Sequence, residues 1–175
     1  MNALDVLAGF GANGRIGPLY RGASLPEITA ELGEPWDGGP IDGSNRWPHR
    51  FGYGSIDLTV CRCRRVSSMS ADVWRESHEI LDPGSNALIP VGSDLPLRRF
   101  TAALDSHGCR WRAEDQPAIG QIDVVTEPAG VVFVFVTRTH DTVFPQPLLA
   151  NAAVWSAPHD CPPIPPGTPD GGFGT

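Results

Sequence analysis

Residues 121–138 read QIDVVTEPAGVVFVFVTR, two apolar-rich runs separated by Glu127-Pro128-Ala129-Gly130. A connection that short cannot carry the crossover that parallel strands need, so the two runs are expected to pair as an antiparallel hairpin. Residues 131–136 are apolar at odd and even positions alike. The expectation is therefore a central strand, covered on both faces. A second stretch, from Ile56 to Cys63, alternates instead. Ile56, Leu58 and Val60 fall on one face, and Asp57, Thr59, Cys61 and Cys63 on the other, the pattern of a sheet covered on one side and open on the other.

Helical spacing appears before each strand-rich region. Leu25, Ile28 and Leu32 line one face at i, i+3 and i+7. Ser24 with Glu27 forms a capping box, Pro26 sits in the first turn, and Gly33 followed by Pro35 marks the stop. Leu97, Phe100 and Leu104 repeat the spacing, with Ser93 or Asp94 as the expected cap and Gly108 as the stop. Aligning Leu25 with Leu97 superposes Thr29 on Thr101, Ala30 on Ala102 and Leu32 on Leu104, a faint internal repeat. The fold class expected is α+β: two weakly similar helix plus antiparallel β-sheet units, with the sharing of one sheet left open. The units are placed at 18–81 and 82–156. Residues 1–17 form an N-terminal helix and a Gly-rich loop, and 157–175, with six prolines and four glycines, form a disordered tail.

Gly9, Gly11 and Gly14 in "VLAGFGANGRIG" spell G-x-G-x-x-G, the phosphate-loop pattern of dinucleotide-binding enzymes. That pattern works by aiming the N-terminus of a following helix at the pyrophosphate. Here Gly17 is followed at once by Pro18 and Gly22, and no second parallel strand carries a ribose-binding acid. The glycines are read as a linker, and no cofactor is expected.

The stretch "IGPLYRGASLPEITAELGEP" resembles the opening of the repeat in β-lactamase-inhibitor proteins and in small outer-membrane-assembly lipoproteins. Gly22, Ser24, Glu27, Ile28, Leu32, Gly33 and Pro35 match its G-[MA]-[ST]-x-x-E-[IV]-x-x-x-L-G-x-P run, with Ala23 in place of the usual Met. The resemblance covers about 20 residues. It implies a helix packed on an antiparallel sheet and, in the inhibitor family, two repeats forming one long sheet that grips a protein target. Similar sequences recur among actinobacterial proteins of unknown or toxin-immunity type. The chain departs from both families: its cysteines do not fall in the inhibitors' disulfide pattern, and its first Cys, at 61, is far from where a lipid anchor belongs.

The charge balance is 20 Asp+Glu against 13 Lys+Arg, net -7, which disfavours nucleic acid and anionic membrane as partners and favours a basic protein, such as a toxin or an enzyme. Every cation is Arg, so no lysine is available for a Schiff base or a phosphate loop. No stretch has the length and apolarity of a membrane span or the layout of a signal peptide, and a cytoplasmic location with reduced cysteines is expected.

No catalytic constellation emerges. Asp105-Ser106-His107 holds the residue types of a hydrolytic triad, but sequence neighbours cannot converge as nucleophile, base and orienter. The acids Asp57, Glu76, Glu79, Glu114 and Asp123 show no spacing of a general acid/base pair. Cys61-x-Cys63, His107-x-Cys109 and His159-x-Cys161 are soft-ligand pairs without the spacing of structural zinc sites, so the thiols are read as small hydrophobes and no metal is expected. The function expected is a non-catalytic protein-binding module of immunity or inhibitor type. Its partner-binding candidates are Trp47, Tyr53, Asp57, Thr59, Arg65, Trp74, Arg110 and Trp111, chosen because Trp and Arg dominate interfaces and because Asp57, Thr59 and Arg65 carry no core duty. The alternative is a small enzyme, nucleotide-dependent through Gly9 to Gly17 or cysteine-based through Cys61.

Overall fold

A computed structural model gives the protein's structure and describes residues 2–43, 46–73, 78–92, 94–138, 142–155 and 161–162. Helix α1 runs over Ala3–Asn13, so it passes straight through Gly9 and Gly11. The Asn2 side chain caps it by accepting the Asp5 N–H at 3.0 Å. Gly14, left-handed at φ 72, closes it by donating its N–H to the Phe10 carbonyl. The linker expected at Gly9 to Gly17 thus begins only at Gly14. A small hairpin of β1 (Arg15–Ile16) and β2 (Leu19–Tyr20) then leads to α2, Leu25–Leu32.

Helix α2 starts at Ser24 and stops at Gly33 (φ 83), as its sequence predicts, but the Ser24 side chain makes no capping bond. Its start is held from outside: Ser24 forms a backbone bridge with Arg65, and the Leu25 N–H donates to the Arg64 carbonyl at 2.9 Å. The tertiary bonds replace the expected capping box.

Four strands follow as a meander: β3 (Trp36–Pro40), β4 (His49–Tyr53), β5 (Ile56–Val60) and β6 (Val66–Asp72). A hairpin of β7 (Glu79–Leu81) and β8 (Leu88–Pro90) intervenes, and the boundary expected between 81 and 82 falls inside it. Helix α3, Leu97–Ser106, has Pro96 at its N-cap position in place of Asp94. Ser93 lies outside the described residues, and Gly108 (φ 65) follows the helix. A second meander comprises β9 (Arg110–Gln116), β10 (Gln121–Glu127), β11 (Val132–Arg138) and β12 (Val143–Val154).

The two meanders form one eight-stranded antiparallel sheet in the order β3-β4-β5-β6-β12-β11-β10-β9. Read inward from either edge, the order is the same: four consecutive strands, first to last, meeting at β6 and β12. Each meander is preceded by a helix, so the repeat faint in the sequence is plain in the topology. The seam is a short antiparallel pairing of Asp72 with Asn151 through Met69 with Val154.

The helices lie on one face of the sheet. Phe10 of α1 and Phe100 of α3 meet Phe133 of β11 with ring centroids 6.3 and 4.5 Å away, and Phe135 lies 5.6 Å from Phe100. Ile28 of α2 aligns with Phe100 of α3 in the sequence repeat, and both are buried. Cross-strand pairs carry the core across the sheet: Phe51 with Leu58, Leu58 with Met69, Ala71 with Ala152, and Ala152 with Phe133.

The opposite face is not covered by any described helix. Thr59, Ser68, Asp57 and Ser70 point to it from the first meander, and Val125, Val132, Val134, Val136 and Asp123 from the second. All of them are half-exposed. This corrects the expectation for residues 131–136. Strand β11 is internal, between β10 and β12, but only Phe133 and Phe135 face the helices, while Val132, Val134 and Val136 remain partly in solvent.

Candidate functional site

The glycine motif has the wrong geometry for phosphate. A phosphate loop precedes a helix and offers free N–H groups. Here the motif lies within α1 and at its end, where carbonyls project and the Gly14 N–H is already bonded to Phe10. Gly11 serves packing instead: a Cβ there would fall 2.7 Å from Leu104 Cδ2 and 3.0 Å from Phe133 Cε2. A surface groove of about 380 Å³ does adjoin the end of α1, lined in part by Arg15, Tyr20 and Arg21. Its cations are engaged: Arg15 lies 4.6 Å over the Tyr20 ring and donates to the Gly17 carbonyl, and Arg21 donates to the Trp155 carbonyl at 3.0 Å.

The partner-binding candidates divide between the two faces. Asp57 and Thr59 sit on the open face, paired across strands with Gly52 and Arg50 on β4 and with Ser70 and Ser68 on β6. Arg110 also lies on that side, opposite Glu127, at the edge strand β9. Tyr53 faces the helices, 8% exposed, and its hydroxyl donates to the Gly33 carbonyl at 2.8 Å. Trp111 too is on the helix side, half-buried against the core, with its indole N–H donated to Asp105 at 2.8 Å. Tyr53 and Trp111 are therefore committed to holding α2 and α3. Trp47 packs partly against the core beside His49, and Arg65 in the β5–β6 loop donates to the Gly22 carbonyl. Trp74 lies outside the described residues.

The open face is mixed in chemistry. Its second meander offers the stripe Val125, Val132, Val134 and Val136, with Leu148 opposite Val136 on β12. Around the stripe are Asp123, held by the Gln116 and Gln121 amides at 2.6 Å each, and Asp72, which accepts from the Asn151 amide at 2.7 Å. Burial pushes the Asp57 carboxyl above the ordinary carboxylate range, with Arg50 opposing the rise and Asp72 adding to it. At the far edge, the indole of Trp36 lies where side chains at Gly38 and Gly52 would be, and its N–H donates to the Gly54 carbonyl. The composition of 121–138 carried a signal for this stripe, read as evidence of cover from the chain's own elements.

The other sequence candidates also have definite places. Asp105 accepts from Trp111 and the Ser106 hydroxyl donates to the Ala103 carbonyl at 2.7 Å, so the triad-like residues finish α3 and hold β9. Cys109 is buried, and burial, with Asp105 adding to it, raises its thiol above the ordinary value. Glu76 and His159 lie outside the described residues.

Cys61 and Cys63, by contrast, come together with Cys161. The β5–β6 loop closes when the Cys61 N–H donates to the Arg65 carbonyl at 3.0 Å and the Arg64 N–H to the Cys61 carbonyl at 2.9 Å, with Arg64 left-handed at φ 58. This sets the Sγ atoms of Cys61 and Cys63 2.8 Å apart. The Arg62 guanidinium donates to the Cys161 carbonyl at 2.8 Å, and Cys161 Sγ sits 3.7 Å from that of Cys63. All three sulfurs lie within 4.8 Å of one another, each residue half-buried. Burial and the two neighbouring sulfurs push the Cys63 thiol up to about 12. Burial also works against the Cys161 thiolate, but hydrogen bonds from the Cys63 backbone, from Cys61 and Cys63, and from Arg62 outweigh it and hold that thiol below its ordinary value. A cysteine nucleophile is activated by a neighbouring base or by surroundings that lower its pKa. Cys61 Sγ has the Cys63 sulfur at hydrogen-bonding distance.

The fold and surface define an α+β protein with a one-sided, eight-stranded antiparallel sheet. Compared with known protein families, with curated proteins and with solved structures, the chain matches none. Among the described residues no helix is long and apolar enough to cross a membrane.

Proposed function

We propose that the protein is a non-catalytic binding module of immunity or inhibitor type, which covers a partner protein with the open face of its sheet. The observation that supports this reading is the half-exposed stripe Val125, Val132, Val134 and Val136 on adjacent internal strands. A central strand apolar on both faces has more apolar surface than its own chain covers, and further burial gains about 25 cal/mol per Å². The carboxylates of Asp72 and Asp123 lie around the stripe, Asp57 sits further along the same face, and the chain's net charge of -7 steers it toward a basic target such as a toxin or enzyme. In this reading the protein acts in the cytoplasm, away from nucleic acid and membrane.

The test is co-expression with the products of the genes adjoining its own, followed by hydrogen exchange on any complex formed. One neighbour should bind and protect β5, β6, β10 and β11. Val134→Lys should weaken that complex by at least about 10-fold, the loss of roughly 1.4 kcal/mol at a central apolar contact. Absence of a complex, or a complex indifferent to Val134→Lys, would sink the reading.

A further inference from the structure

We infer that Cys61, Cys63 and Cys161 form a binding site for a thiophilic d¹⁰ cation, Zn²⁺ or Cu⁺, with three sulfur ligands from this chain. The site is independent of the open sheet face. It joins two ligands on the β5–β6 loop to a third that lies 98 residues further along the chain. Tetrahedral zinc with Zn–S bonds of about 2.3 Å spaces its sulfurs about 3.8 Å apart. The Cys63–Cys161 pair already stands at 3.7 Å, and Cys61, 2.8 Å from Cys63, needs only a side-chain rotation outward of about 1 Å to complete the same triangle. A disulfide would use two of these sulfurs and strand the third half-buried; a cation uses all three.

The surrounding charge suits the complex. Three thiolates around a divalent ion carry a net single negative charge, and around a monovalent ion a double one. Arg62, Arg64 and Arg65 belong to the same loop and bring positive charge to it. The Arg62 guanidinium also fixes the Cys161 backbone, an outer contact of the kind that orients a ligand. Three protein ligands leave one position open on zinc, whereas three complete the shell of trigonal Cu⁺.

The full-length chain, purified with reductant and stripped with chelator, would be titrated with Zn²⁺ and, in a separate anaerobic arm, with Cu⁺, each against a competing chromophoric chelator. One equivalent of at least one ion should bind. That ion should protect three cysteines, and not Cys109, from alkylation as read by mass spectrometry of the wild-type chain. Zinc binding would identify a site with an open position; uptake of Cu⁺ alone would identify a trigonal one. Because loss even of an outer contact costs about 10- to 100-fold, Cys61→Ser, Cys63→Ser and Cys161→Ser should each weaken binding by more than about 100-fold, while Cys109→Ala leaves it unchanged. Failure of both ions to bind stoichiometrically to the reduced wild-type chain overturns the inference. So does binding that leaves any of the three cysteines open to alkylation.

Discussion

Two glycines one helical turn-half apart, Gly9 and Gly11, have opposite roles in α1. A methyl group at Gly11 would collide with Leu104 and Phe133 in the packed core, whereas nothing lies within 4 Å of the position a Cβ would take at Gly9. Gly11→Ala should therefore destabilise the protein by about 1–3 kcal/mol through overpacking. Gly9→Ala should stabilise it by about 0.5–1 kcal/mol, since an alanine in a helix interior loses less backbone freedom on folding. Chemical denaturation of both variants checks the pair, and equal effects of the same sign would refute the packing role. Their common spelling in the sequence hid this difference: G-x-G reads alike in a loop and in a helix, and only the partner across the interface separates them. The cysteine cluster was hidden for a related reason. The spacing of Cys61 and Cys63 is visible, but their third neighbour arrives from the far end of the chain, a distance that local patterning does not span. Asp57 gives a residue-scale prediction with a pH signature. Its folded pKa is raised by burial, so the fold penalises the ionised form. The penalty is absent at low pH, where folded and unfolded chains are both protonated, and develops as pH rises through the folded value. Asp57→Asn should melt higher than wild type at pH 7, with the gap closing below about pH 4, near the unfolded carboxylate value. A gap constant with pH would show that burial of the charge is not its cause.

At the scale of elements, local patterning was informative wherever packing agreed with it. Leu25, Ile28 and Leu32 located α2, Ile56, Leu58 and Val60 set the buried face of β5, and Glu127 to Gly130 marked the turn of the β10–β11 hairpin. Disagreement came where a distant element did the work of a local signal. Ser24 holds the cap position without a capping bond because the backbone at Arg64 and Arg65 anchors the helix start. Tyr53 and Trp111 spend their polar atoms on Gly33 and Asp105, one after α2 and one within α3, so the aromatic residues chosen as contacts are ties between layers. Strand β11 gives this scale its prediction. Val134 is half-exposed on the face opposite the core, so Val134→Lys should change stability by no more than about 0.5 kcal/mol, as surface substitutions do. Phe133→Ala, one residue away on the helix side, should cost about 3–5 kcal/mol. Urea denaturation of the two variants tests the assignment of faces, and a large loss for Val134→Lys would mean that β11 is covered on both sides after all.

For the whole molecule, the question is whether two repeated units behave as one. The symmetry of strand order argues for two pieces that meet at β6 and β12 through only four residue pairs. The packing argues for one. Buried residues from both units, Ile28 and Phe51 as well as Phe100 and Phe133, belong to a single contiguous core. Helix α1 precedes the first unit in sequence yet packs against α3 and β10 of the second, and the Gly22 N–H that follows it is bonded to Val66 of the first at 2.7 Å. Splitting the units would expose the paired edges of β6 and β12 and strand α1 on the wrong side of the cut. Exposed edges of that kind are costly and prone to association. Thermal unfolding should therefore be a single cooperative transition, with calorimetric and van't Hoff enthalpies in agreement. Fluorescence from Trp36 in the first sheet half and from Trp111 in the second, isolated by substituting the other tryptophans with phenylalanine, should report the same midpoint. Two separated midpoints would mean that the seam, not the shared core, governs how the molecule comes apart.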